Sequence, residues 1–170
     1  PTPYGDVLVP ADSPGTPSGP SADARPDAAA FVAVWPWNVV DADSDSVAAT
    51  LAAADDEAWV AGDSPCLGRY PGDHYTPTGT VEDGGWPLCE AYADAARWLG
   101  GSDPDAVADH VFEDAREWTT SAGLLPERVD GSGRVRWNSN LQWSQATYLL
   151  LVENHVRDEA FGLAPGSETG

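Results

Sequence analysis

Two stretches of this 170-residue chain gather side chains that can do chemistry together. The first, GRYPGDHYTPTGTVEDGGWPLC, runs from Gly68 to Cys89 and carries Arg69, Tyr70, Asp73, Tyr75 and Trp86. An Arg and an Asp can hydrogen-bond several hydroxyls at once, and aromatic faces can stack on the C–H face of a sugar ring. A carbohydrate needs that mix. The second, GLLPERVDGSGRVRWNSNLQWSQATYLLL, runs from Gly123 to Leu151. It sets one glutamate, Glu127, between Pro126 and Arg128, just ahead of an apolar, Trp-bearing helix. A carboxylate held at such a junction can serve as a general base. Each stretch also has a plainer reading. The first is then a surface loop in which Arg69 pairs with Asp73 and the tyrosines pack, and the second is a solvated turn.

The elements that must position these residues are helical. Residues 1–26 are rich in Pro, Gly and Ser and read as a loop or linker, with a short extended piece at Val7–Val9. Asp27 then reads as the N-cap of a helix over AAAFVAVWPWNVV, which Pro36 should kink or end. That stretch is apolar on nearly every face, so it should pack on both sides. DSDSVAATLAAADDEAW is the next helix, with Asp and Ser at its positive end. The connection from Val60 to Gly85 is longer than a structureless link usually is, and such loops tend to be functional. WPLCEAYADAARWLGG is a helix with Leu88, Tyr92, Ala95, Ala96 and Leu99 on one face and Gly100-Gly101 as its stop. The following helix opens with Asp103 as N-cap and Pro104 at its first position. Its apolar face holds Val107, Val111, Phe112, Ala115 and Trp118, and Gly123 ends it. A last helix, NLQWSQATYLLLVENHVRDEAF, should be capped by Asn138 or Asn140, and residues 163–170 should fray. The pattern gives an all-α domain over residues 27–162, with about five helices and no convincing strand. Most of the eight Trp should lie in the core, with those at loop–helix junctions left to stack on a ligand.

Charge narrows the partners. There are 28 acidic residues against 8 basic ones, all Arg, for a net charge of -20. Such a surface repels nucleic acid phosphates and anionic membranes. The acids are spread along the chain rather than gathered in a tail, which fits adaptation to molar salt. That condition suits either the cytoplasm of a salt-in cell or a brine outside one. No apolar run reaches the length of a membrane span, and the start does not read as a signal peptide. There is no Met, so the chain is expected to be processed or part of something longer. Cys89 reads as a small buried hydrophobe, with a Cys66–Cys89 bridge a possible but unsupported alternative. His74, His110 and His155 show no ligand spacing, so no metal is assigned.

The order of the motifs adds a resemblance. The chain resembles the C-terminal part of the glucoamylase family, glycoside hydrolase family 15, over roughly residues 25–157. The matching positions are Gly68, Arg69, Tyr70, Pro71, Asp73 and Tyr75, then Trp86, Leu88 and Cys89. They continue with Leu125, Pro126 and Glu127, then Leu141, Trp143, Ser144 and Ala146. The PDAAAFVAVWPWNVV segment also looks like the family's Asp-initiated helix upstream of these loops. The resemblance implies an (α/α)6 barrel, of which five helices are less than half. It implies an inverting, exo-acting α-glucosidase with Glu127 as general base. Arg69, Asp73 and Tyr75 would hold the glucose unit, with Trp86 close by. No organic cofactor is implied. Inverting chemistry needs two carboxyl groups about 6.5–9.5 Å apart. The family's general acid lies upstream of everything matched here, so the acid and the remaining N-terminal part of the barrel are expected from outside this chain. Glu82, Asp83 and Glu90 fall at positions the family does not use and read as a solvated loop and a helix start. The loop from Tyr75 to Trp86 is long, which leaves the linkage (α-1,4, α-1,6 or trehalose) open. The alternative reading is a non-catalytic sugar-binding or assembly protein derived from this family.

Overall fold

The computed structural model describes residues 26–55, 66–70, 84–130, 134–136 and 138–157. The expected linker at 1–25, the Tyr75 loop and the tail lie outside these. The described residues are mostly helical, with one small sheet. A short 3-10 helix, Ala28–Ala33, comes first, followed by α1 (Asp45–Ala54), α2 (Pro87–Leu99), α3 (Pro104–Trp118) and α4 (Gln142–Arg157).

The starts of these helices follow from their caps. Asp27 Oδ1 accepts from the Ala29 N–H at 2.8 Å, and Ser44 Oγ accepts from Val47 N–H at 3.4 Å. Asp103 Oδ1 accepts from Asp105 N–H at 3.1 Å, with Pro104 in the first turn of α3 where its missing N–H costs nothing. Gly100 caps α2, and Gly101 follows in the left-handed region with φ of 88°. α3 ends at Trp118, earlier than the stop expected at Gly123, whose φ of 73° belongs instead to the turn closed between Thr120 and Leu124. The first helix is shorter than its apolar run, because Pro36 stops it: the helix ends at Ala33 and the chain turns through Trp37. Its two-sided burial holds for Ala28 and Phe31 but not beyond the turn, where Trp37 and Val39 are exposed. The cap of α4 also differs from expectation. Leu141, not an asparagine, precedes Gln142, and its carbonyl accepts from Gln145 N–H at 3.2 Å. Asn138 instead turns its side chain onto the Asn140 N–H at 3.2 Å.

α2 is the hub, packed against the 3-10 helix, α1, α3 and α4. Its run of small residues makes this possible. Ala93 and Ala96 face one cluster with Phe31, Val34, Val47 and Leu67, while Ala91 and Ala95 face another with Trp35, Val107, Val111 and Leu151. The single apolar face expected for α2 is therefore too narrow, since burial runs most of the way round and takes in Glu90 and Asp94. A third cluster joins Cys66, Ala115, Trp118, Leu125 and Val129.

The expectation of no strand is corrected by a three-stranded antiparallel sheet, β1 (Gly84–Gly85), β2 (Arg128–Asp130) and β3 (Val135–Arg136), in that spatial order. Strands of two or three residues carry no period a sequence could reveal. The sheet forms because Gly84 and Gly85 let the backbones close up. A Cβ on Gly85 would collide with the carbonyl and Sγ of Cys66, and one on Gly84 would come within 2.6 Å of Arg128 Nε. Two buried thiols, Cys66 and Cys89, stand unbridged.

Candidate functional site

The 66–70 segment is fastened on both sides. Leu67 N–H donates to Glu90 Oε2 at 3.0 Å, Leu67 O accepts from Trp86 N–H at 2.7 Å, and Arg69 O accepts from Ala28 N–H at 2.7 Å. Arg69 is thereby set between aromatic rings. Its Cζ lies 4.9 Å from the Trp86 ring centre and 5.4 Å from that of Tyr70, both within cation–π range.

The 125–127 segment is held by α4 in the same manner. Gln145 Nε2 donates to Leu125 O at 2.9 Å, as does Leu141 N–H at 3.2 Å. Ser144 Oγ donates to Pro126 O at 3.3 Å, and Glu127 N–H donates to Asn138 O at 2.8 Å. Three successive residues are thus tied down, and β2 begins immediately after Glu127. A side chain that ends a fixed segment is a better positioned group than one on a free loop. Arg128, whose direction the sequence left open, is only 1% exposed and runs across Gly84.

These two segments meet at one open cleft of about 730 Å³. Its lining includes Arg69, Trp86 and Glu127, so three residues singled out from the sequence share a single concave surface. The volume falls in the range of about 300–1,000 Å³ common for small-molecule sites. Asp73 and Tyr75, the other two, lie outside the described residues. The cleft also recruits residues that sequence reasoning placed elsewhere. Tyr92 was assigned to packing on α2 and Asp27 to capping, yet both reach the lining. Burial, then the adjacent Cys89, pushes the Tyr92 hydroxyl above its ordinary pKa, while Thr147 bonds it in opposition.

The Trp residues divide unevenly. Trp35 and Trp118 are buried as expected, and Trp86 and Trp98 are half-buried. Trp37 is 69% exposed and Trp143 is 70% exposed, and both stand on the rim of the cleft. Trp37 follows the Pro36 turn, and Trp143 stands in the first turn of α4. Trp59 and Trp137 lie outside the described residues.

A second polar group gathers on α2, outside the cleft lining. Arg97 of α2 bonds Asp55 Oδ1 at 2.7 Å, Asp94 Oδ1 at 2.7 Å and Glu90 Oε1 at 3.1 Å. His110 Nδ1 approaches Asp94 Oδ1 at 3.1 Å. Glu90, Asp94 and His110 each offer an atom within 4.8 Å of the others, a spacing that could suit a metal ion. The donor set does not fit one well. A guanidinium already supplies the positive charge, bonded to both carboxylates. Burial works against that charge, but Glu90 and Asp94 outweigh it and hold the Arg97 pKa above its ordinary value. Glu90, read from the sequence as a plain helix start, is instead a buried partner in this cluster.

No family model, curated protein or solved structure matches this chain.

Proposed function

We propose that the cleft binds a glucoside and that Glu127 acts there as the general base of an inverting, exo-acting α-glucosidase. The observation that carries this reading is the convergence of Arg69, Trp86 and Glu127 on one cleft, although the first and last stand 58 positions apart. The chemistry follows from the residue types. Trp86 offers a ring face for sugar C–H groups, and Arg69 offers fixed donors for hydroxyls. Glu127, on its tied segment, takes a proton from the water that attacks the anomeric carbon. Asp73 and Tyr75 belong to the same proposal through the sequence resemblance.

The general acid is proposed to come from a segment outside this chain, together with further helices of the barrel. The character of α4 supports such a covering partner. Its buried side carries Ser144, Thr147 and Asn154 beside Leu151, while Trp143, Leu149, Leu150 and Val156 face outward. A helix that hides polar residues and exposes apolar ones favours another apolar surface against it.

One observation favours the alternative of a non-catalytic sugar binder. Among the described lining residues the carboxylates are Glu127 and Asp27, and Asp27 is engaged as a helix cap. A base without a positioned acid loses leaving-group protonation, a step worth about 10²–10⁴-fold. The two readings part in a single experiment. Glu127→Gln is made in the longest protein that the reading frame encodes, and glucose release is measured from maltose, isomaltose and trehalose. The enzyme reading predicts hydrolysis by the parent and a loss of about 10²–10⁴-fold in the variant, with unchanged circular dichroism. Full turnover in the variant would remove Glu127 from the role. Binding without turnover in either protein would favour the sugar binder.

A further inference from the structure

A small, partly open pocket lies where α2, α3 and α4 meet beside Leu125, sharing no lining residue with the larger cleft. Its space is about 20 Å³, and its lining includes Glu90, Asp94, Trp118, Leu125, Ser144 and Tyr148. A water needs about 10–15 Å³ of such space and two to four polar partners. The cavity therefore has room for one water and not for two, and far too little for a sugar or an organic cofactor.

The polar atoms around it make an incomplete set. Trp118 is 3% exposed, and its Nε1–H is buried with no hydrogen-bond acceptor among the described residues. A buried N–H left unpaired is costly, on the order of 1–3 kcal/mol, so native structures seldom keep one. Asp94 is 2% exposed, and the bonds from Arg97 and His110 both fall on its Oδ1. Its Oδ2 retains accepting capacity. Ser144, 1% exposed, uses its hydroxyl hydrogen on Pro126 O and keeps its lone pairs. Residues that carry one such donor and two such acceptors, from three different helices, thus line the same space. An indole N–H needs an acceptor, which excludes a metal cation as its partner. A water can accept from Trp118 and donate to the other two.

We propose that this cavity is a built site for a single structural water, accepting from Trp118 Nε1 and donating to Asp94 Oδ2 and Ser144 Oγ. The water joins the Arg97 ion-pair cluster to the segment that carries Glu127, because Ser144 is bonded to Pro126. It gives Ser144, buried on α4, a second partner besides Pro126. The site does not depend on what the open cleft binds.

The test uses the whole chain. A crystal structure resolving ordered solvent should show one water in the cavity, within hydrogen-bond distance of Trp118 Nε1 and of an Asp94 oxygen. In solution, the Trp118 indole N–H should show a cross-peak to a long-lived water and slow exchange. Trp118→Phe should remove that water while leaving α2, α3 and α4 in place. A dry cavity in the parent, or a Trp118 Nε1 bonded to a protein acceptor, overturns the proposal. So does a water that stays unmoved in Trp118→Phe, since the indole would then have no part in holding it. Should Trp118→Phe fail to fold, the parent indole cross-peak decides alone, its presence supporting the site and its absence refuting it.

Discussion

Glu90 enters the interior with a carboxyl that its surroundings resist ionising. Burial first, then the Asp94 carboxylate, raises its pKa above the ordinary 4.5, while Arg97, the Leu67 N–H and His110 pull it back. The direction fixes a pH dependence. A group whose pKa is raised in the folded state contributes stability that is fully present below its unfolded value and fades as pH rises through the folded value. The stability of the parent relative to Glu90→Gln should therefore be greatest at about pH 4 and should fall toward neutrality. Urea unfolding of both proteins across that window measures it. A difference that is flat, or that grows with pH, would mean that Arg97 outweighs burial. The residue types at the proposed site were legible in the sequence, because Arg69, Trp86 and Glu127 carry chemistry that their neighbours do not. Glu90 was not legible. A glutamate in the first turn of a helix is usually solvated, and only the turn of Leu67 onto it reveals the buried bond.

At the scale of elements, caps and stops were readable because each acts within a few residues. Asp27, Asp103, Pro104 and Gly101 stand where their side chains or backbone angles are needed, whereas α3 stops at Trp118, short of the Gly123 expected to end it. The sheet was not readable, since its pairs are long-range. Gly84 and Gly85 meet Asp130 and Val129 across more than forty residues, with no alternation to announce them. That pairing matters to the proposed site, because β1 leads into Trp86 and β2 follows Glu127. Gly85→Ala should break it. The new Cβ would sit 2.6 Å from the Cys66 carbonyl carbon, a backbone group that cannot swing aside as a side chain can. We expect a loss of at least about 1–3 kcal/mol, read as a lower unfolding midpoint in urea. A midpoint equal to the parent's would show that the 66–70 segment can shift without cost.

Over the whole molecule, net charge opposes compactness. With -20 on 170 residues, the salt-adaptation reading predicts that the fold loosens as salt is withdrawn. At 1 M the Debye length is about 3 Å, and at 0.01 M it is about 30 Å, so repulsion then spans the domain. Far-UV circular dichroism that stays constant between those limits would contradict the reading. Charge was fully legible from composition, but the uneven covering of α4 was not, because its apolar and polar residues are both abundant and only packing separates them. The claim that joins these scales is that the open cleft is a sugar site. Its most direct test is a titration of the chain, in molar salt, with maltose, isomaltose and trehalose, following Trp fluorescence. Trp37, Trp86 and Trp143 all line the cleft and should report occupancy. The account predicts saturable binding of at least one disaccharide, weakened about tenfold or more by Arg69→Ala, roughly 1.4 kcal/mol. Fluorescence that none of the three sugars changes, in a chain shown to be folded, would contradict it.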